Sequence, residues 1–263
     1  MLEPIILGTI QGIAEWLPIS SSGMITLVMS NFFEVTDISV LLQRALFLHL
    51  GTLLAALVYF RKEVLVLIKA LFNYRKTDAE TKNVLNFLII STIIAGIVGI
   101  TIGLFLFNLN LELTGKTITL VIGILLLITA GLQLSPRRKG PRNEKDLKIS
   151  DSILLGIAQG TAVIPGISRS GITISTMLLR KIDDTLALKL SFLMSIPIVL
   201  FGNIFLNLPD ISSTFTYRSL VGLLLSFALG MLTIHLLIKL TKKINFGYFV
   251  LIFAILTILA VLV

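Results

Sequence analysis

Leu7–Met29 reads LGTIQGIAEWLPISSSGMITLVM, and Leu155–Met177 reads LGIAQGTAVIPGISRSGITISTM. Aligned without a gap, 10 of 23 positions agree, among them Gly8/Gly156, Gln11/Gln159, Gly12/Gly160, Ser20/Ser168, Ser22/Ser170 and Gly23/Gly171. The shared letters are mostly Gln, Gly and Ser in a chain that is otherwise apolar. The disagreements matter as much: Glu15 stands over Val163, and Ser21 over Arg169. A lone carboxylate in one copy and a lone guanidinium in the other predict two halves of one site.

Around these copies the composition is that of a membrane protein. The 263 residues are 56% hydrophobic and only 14% charged, with a mean hydropathy of +1.00, where soluble domains carry about 25% charged residues. Several apolar runs approach or exceed the ~20 residues a helix needs to cross a bilayer. With no basic n-region after Met1-Leu-Glu-Pro4, the sequence predicts no cleavable signal peptide. The absence of cysteine excludes disulfides, thiolate metal sites and Cys nucleophiles. A formal charge of +8 could suggest nucleic acid, but the Lys and Arg sit in short loops between apolar runs. That is the charge bias that orients membrane proteins, and no nucleic-acid partner is expected.

Six segments read as full spans: Ala45–Phe60, Val84–Phe107, Thr117–Leu134, Leu186–Leu206, Leu220–Ile238 and Phe246–Val263. The loops Arg61–Lys82, Ser135–Ser150 and Lys239–Ile244 are rich in Lys and Arg and are expected inside. Those near Asn108–Lys116 and Asn207–Arg218 are poor in them and are expected outside. Counting crossings then makes the second motif copy start and end on the inner face, and the first on the outer. The expected fold is all-α: a polytopic membrane helix bundle with an inverted-topology repeat, each half a re-entrant helical hairpin plus three transmembrane helices. Residues 1–263 form one integral-membrane domain, with internal repeats at about 1–134 and 150–263. Pro18 and Pro165-Gly166 are the expected breaks.

Gln11 and Glu15 are spaced i, i+4 and share a helix face. A helix starting after Pro18 would present Ser20, Ser21, Ser22 and Gly23 at its N-terminus, where free N–H groups and the helix dipole favour an anion, phosphate above all. Ser168, Arg169, Ser170 and Gly171 repeat the pattern with an arginine, whose planar fork suits phosphate oxygens. Serine and glycine also serve close packing in membrane helices, so each alone is a weak pointer. Glu15 and Arg169 are stronger ones, because an ionised group at depth costs ~2.5–3.5 kcal/mol and needs a partner, a wet cavity or a ligand. His49, in the first span, and His235, in the fifth, are the only histidines, and Trp16 is the only Trp. No P-loop, zinc motif or dinucleotide fingerprint is present.

At Gln11-Gly-Ile-Ala-Glu15-Trp-Leu-Pro18-Ile-Ser20-Ser21-Ser22-Gly23 and Pro165-Gly166-Ile-Ser168-Arg169-Ser170-Gly171 the chain resembles the undecaprenyl-pyrophosphate phosphatases. Leu48–Ala55 and Leu190–Pro197 are also similar to that family, and the likeness covers nearly the whole chain. The resemblance implies hydrolysis of a polyprenyl pyrophosphate to the monophosphate and phosphate, recycling the lipid carrier of cell-envelope glycan synthesis. It implies a plasma-membrane location, a site open to the outer face, and a divalent cation, Mg2+ or Ca2+. Its essential residues fall on Glu15, Ser21 and Arg169. Gln11, Ser20, Ser22, Gly23, Gln159, Ser168, Ser170 and Gly171 are the expected substrate contacts, Glu15 and Gln11 the metal ligands, and His49 and Trp16 auxiliaries. Two positions depart from the family: a glutamate four residues before Glu15 is Gln11, and a histidine following the serine run is Met24. Met24 cannot transfer a proton, which leaves Glu15 as the base, with His49 in reserve if the first span packs against the hairpins. Two alternative functions stay open on the sequence, a flippase for a prenyl phosphate or phospholipid and a silent lipid-binding relative; the partners expected are the lipid substrate, the bilayer and a second copy in a homodimer.

Overall fold

In the computed structural model, which describes residues 2–35, 37–108, 114–134, 140–206, 216–240 and 246–262, each motif copy folds as two short helices around a turn. The first copy gives α1 (Leu2–Ala14) and α2 (Ser21–Phe32), and the second gives α7 (Ile149–Thr161) and α8 (Arg169–Leu179). After the first pair come α3 (Ile38–Tyr59), α4 (Arg61–Phe72), α5 (Ala79–Asn108) and α6 (Gly115–Leu134). After the second come α9 (Asp184–Leu206), α10 (Tyr217–Leu240) and α11 (Phe246–Leu259). No strand occurs among the described residues.

Five of these helices, α3, α5, α6, α9 and α10, are long and apolar enough to cross a bilayer. Two sequence expectations change. The sixth expected span, Phe246–Val263, is a 14-residue helix followed by a 3-10 turn at Ala260–Leu262. At 1.5 Å per residue the α-helix covers roughly 21 Å and the 3-10 turn, at about 2 Å per residue, a further ~6 Å, a little under the ~30 Å hydrocarbon core. The basic stretch Arg61–Lys82, expected as a loop, contains α4. That helix carries an outward apolar stripe of Leu65, Ile68 and Phe72, a spacing of i, i+3, i+7 that keeps one helix face apolar. Most of the loops 108–116, 207–218 and 239–244, read for charge, lies outside the described residues.

Small residues bring α1 and α7 into deep contact with spans from the far half of the sequence. Gly8 and Gly12 of α1 lie on α10: a Cβ on Gly12 would sit 2.7 Å from the Leu229 Cβ, and one on Gly8 would run into the Gly222 backbone. Gly156 and Gly160 of α7 lie on α5, where added Cβ atoms would come within 2.7 Å of the Ile94 Cβ and 2.6 Å of the Val98 Cβ. Such close approach is what small residues allow in lipid, where water gives no drive to bury apolar surface. Between the two pairs run α3 and α9, tied by Asn203 Nδ2, which donates to the Leu46 carbonyl at 3.0 Å. One hydrophobic cluster gathers around Trp16, Phe60, Phe87 and Phe192, and another around Leu7, Met29, Ile122 and Val250.

Candidate active site

The turns of the two hairpins meet. In the first, α1 ends at Ala14, and Pro18 prevents its continuation. Ser20 then caps α2 from the left-handed region, at φ 62°. In the second, Gly166 takes φ 102° and Ser168 caps α8, accepting from the Gly171 N–H at 3.1 Å. The Ser20 Oγ accepts from Gly23 N–H of its own helix and from Gly166 N–H of the other hairpin, both at 3.2 Å. Ser170 Oγ donates to the Leu17 carbonyl at 3.1 Å. Gln133 of α6 donates to the Pro18 carbonyl at 2.8 Å.

Glu15 lies at the centre of this junction, 5% exposed. Its Oε1 pairs with the guanidinium of Arg169, so the two residues singled out by the mismatch between the copies are in contact. Its Oε2 accepts from Ser21 Oγ at 2.7 Å and Gln11 Nε2 at 2.9 Å. His49 Nε2 is 3.1 Å from the same oxygen. A carbonyl can only accept, so His49 Nδ1, 2.6 Å from the Ala45 carbonyl, carries a hydrogen. The Nε2 contact to Glu15 then holds one more proton, on the ring or on the carboxyl. A buried carboxylate with this many donors is stabilised as a unit, and removing one partner leaves the others unsatisfied.

The expected site residues fall into two groups. Gln11, Glu15, Ser20, Ser21, Gly23, His49, Ser168, Arg169, Ser170 and Gly171 converge on the junction. Trp16 borders it, stacked edge-on to Phe192 at 5.0 Å between centroids, with Arg169 Cζ 5.9 Å from its ring. Ser22 is half-buried on the first turn of α2, with no hydrogen bond to the cluster among the described residues. Gln159 donates to the Met194 carbonyl at 3.4 Å and makes no hydrogen bond to Glu15 among the described residues. Met24 packs into the apolar cluster around Ile122. His235 lies apart, 6.5 Å from the Tyr59 ring.

Thr52, Ser191, Thr173 and Gln133 are the residues that sequence reasoning missed. Thr52 Oγ1 accepts from Gln11 at 3.2 Å, and Thr173 and Ser191 hydroxyls share a bond at 2.7 Å behind Arg169. Thr52 and Ser191 sit in Leu48–Ala55 and Leu190–Pro197, segments already distinctive in the sequence, so their polar letters were the available signal.

At the opposite end of the second hairpin, Asp151 is fully buried and bound by Arg180 Nε at 2.8 Å and by Arg142. Lys148 N–H adds a third bond at 2.9 Å. Burial alone would raise this carboxyl's pKa. The hydrogen bonds from Arg142 and Arg180 outweigh burial and hold it below the ordinary Asp value.

An all-helical membrane protein whose buried Glu–Arg pair sits between two serine-capped helix N-termini is the class defined so far. A family model described as bacitracin resistance protein BacA matches residues 4–259, and the chain belongs to that family. Its relatives include an undecaprenyl-diphosphatase of Methanococcoides burtonii, 47% identical over 253 residues, which are 94% of this chain and 93% of the relative. Another, from Thermosipho africanus, is 37% identical over 257 residues, 97% of this chain and 98% of the relative. One from Saccharolobus islandicus is 39% identical over 236 residues, 88% and 83% of the two chains.

Proposed function

We propose that the protein hydrolyses undecaprenyl or a similar polyprenyl pyrophosphate to the monophosphate and phosphate at the Glu15–Ser21–Arg169 cluster. The observation that carries this reading is a nucleophile-type hydroxyl 2.7 Å from a buried carboxylate, with a guanidinium on that carboxylate's other oxygen. The N-termini of α2 and α8 supply N–H groups and positive dipole ends for the phosphates. On binding, the pyrophosphate takes Arg169 as its own partner, which frees Glu15 to accept the Ser21 proton. Ser21 Oγ attacks the terminal phosphorus, the bond to the bridging oxygen breaks, and prenyl monophosphate leaves with the proton that Glu15 had taken, which returns Glu15 to its ionised form. Water then attacks the phosphoserine, with Glu15 taking its proton and Ser21 recovering one as phosphate departs. The names of the relatives favour hydrolysis over lipid transport.

A divalent cation fits this donor set in one respect. Gln11 Oε1 is buried without a hydrogen-bond partner, and with Glu15 it offers oxygen ligands of the kind Mg2+ and Ca2+ take. Among the described residues no three His, Asp, Glu or Cys side chains gather, so phosphate oxygens of the substrate would complete the shell. When bound, the ion would offset charge on the phosphates.

The finer architecture we propose is an inverted repeat of two halves, about 1–134 and 150–263, each a re-entrant hairpin followed by three transmembrane helices, with the site open to the outer face. Support comes from exchanged contacts. The first helix of each half packs on a span of the other, and within each half its glutamine ties it to the first long helix, Gln11 donating to Thr52 and Gln159 to Met194. Purified protein should release phosphate from a long-chain prenyl pyrophosphate, and Glu15→Gln and Arg169→Ala should abolish release while keeping the fold. Full turnover by both variants would overturn the assignment.

A further inference from the structure

A cleft of about 210 Å³ runs between α5, α7 and α9, from Leu104 and Phe205 at one end to His49, Gln159 and Arg169 at the other. Its walls are apolar and unusually bare. Gly96, Gly99 and Gly103 line it from α5 and Gly202 from α9. A Cβ added at Gly96 would meet nothing within 4 Å, and one at Gly103 only the Val163 Cγ2 at 3.9 Å. Glycine inside a helix is about 1 kcal/mol worse than alanine, and in membranes it is normally repaid by close helix contact, as at Gly12 and Gly156. At Gly96 and Gly103 no helix comes close, while a Cβ at Gly99 or Gly202 would make only ordinary contacts, with the Gly160 carbonyl at 3.6 Å and the Leu46 side chain at 3.5 Å.

The molecule contains its own control. The paired bonds Gln11–Thr52 and Gln159–Met194 set the register between α3 and α9. Gly12 over the Ser226 carbonyl and Gly160 over the Ala95 carbonyl set it between α10 and α5. In that register Gly96 corresponds to Phe227, Gly202 to Phe60 and Gly103 to Ile234. All three counterparts belong to the hydrophobic cluster around Trp16. The space that one half fills with its own large apolar side chains, the other half leaves empty. Gln159, 3% exposed, also lines this cleft with its Oε1 unpartnered.

We infer that the cleft of the second half is the seat of the substrate's prenyl chain, and that Gly96, Gly103 and Gly202 set the requirement for a long, methyl-branched tail. The inference rests on the proposed phosphatase reading for the identity of the ligand. Continuity with the site supports it: the cleft ends on Arg169, so a chain lying in it delivers an anionic head to the guanidinium. An unpartnered amide oxygen at that end serves the hydrated phosphate better than it serves the hydrocarbon.

The test is the preference for chain length, kcat/KM on a long-chain prenyl pyrophosphate divided by kcat/KM on a five-carbon one. Gly96→Leu and Gly103→Leu should each lower that ratio at least about tenfold, the scale of discrimination a hydrophobic pocket gives. Gly131→Leu should leave it unchanged, since a Cβ there also meets nothing but Gly131 is outside the cleft. An unaltered ratio in both cleft variants would overturn the inference. If the unmodified protein releases no phosphate from either compound, the phosphatase reading fails by itself. The cleft is then tested with a long-chain prenyl pyrophosphate carrying a photoreactive diazirine. Crosslinks to α5 and α9 that Gly96→Leu removes would uphold the cleft, and labelling elsewhere would overturn it.

Discussion

Ser20 and Gly166, 146 positions apart, are joined by a hydrogen bond of 3.2 Å from the glycine N–H to the serine hydroxyl. The same oxygen caps α2, so one side chain both starts a helix and fixes the distance between the two hairpin turns. Ser20 holds φ at 62°, a region that L residues other than Asn and Asp seldom occupy.

Removing that oxygen should therefore cost more than an ordinary cap. Ser20→Ala deletes a cap worth about 1 kcal/mol and also leaves the Gly166 N–H buried without an acceptor, a further loss of about 1–3 kcal/mol. Ser20→Gly loses the same bonds but relieves the backbone. Thermal denaturation in detergent should rank Ser20→Gly between the parent and Ser20→Ala.

Arg169 and Ser21 separate binding from chemistry. Arg169→Lys keeps the charge but loses the planar fork, and should chiefly raise KM. Ser21→Ala should lower kcat by about 10²–10⁴-fold, the range expected when a positioned proton-transfer pair is broken. Steady-state kinetics on one prenyl pyrophosphate measures both, and a kcat near the parent's in Ser21→Ala would exclude Ser21 as the nucleophile.

Glycine substitutions should split by contact. Gly160→Ala pushes a methyl into Val98, an overpacking cost of about 1–3 kcal/mol. Gly96→Ala meets nothing and should raise the melting temperature, by the 0.4–1 kcal/mol or so that glycine replacement gives at a compatible site. Paired melting curves check the sign.

Asp151 gives the pH dependence. Its carboxyl titrates lower in the folded protein than in the unfolded chain, so its contribution to stability is complete above the unfolded value. It is lost as pH falls through the folded one. The Asp151 contribution should be constant near neutral pH, and the melting temperature should drop below pH ~4. In Asp151→Asn, stability should be lower at neutral pH and the acid-side drop smaller.

The repeat and the Glu15–Arg169 asymmetry were legible in the sequence because polar residues in an apolar chain stand out. Pro18 and Ser20 announced the helix break and cap that are found. The place of His49 was not legible. A lone His in an apolar run carries no sign of its neighbour, and its position 3.1 Å from Glu15 follows from how α3 packs against the hairpins. The cleft was hidden for a related reason. Gly96 and Gly156 look alike as letters, and only the distance to the facing helix separates a glycine that lets backbones touch from one that leaves room. The helical nature of Arg61–Phe72 was masked by its charges.

The glycine face of α1 meets its partner only in α10, where Gly8 rests on Gly222. A ribosome releases α1 long before α10 exists. Through most of its synthesis the chain therefore holds an N-terminal hairpin whose docking surface has not yet been made, and Glu15 has no Arg169 to face. Maturation of the site is thus a late event, set by insertion of the last spans, and a chain truncated after α6 would carry the acidic half of the site with neither its counter-charge nor its seat.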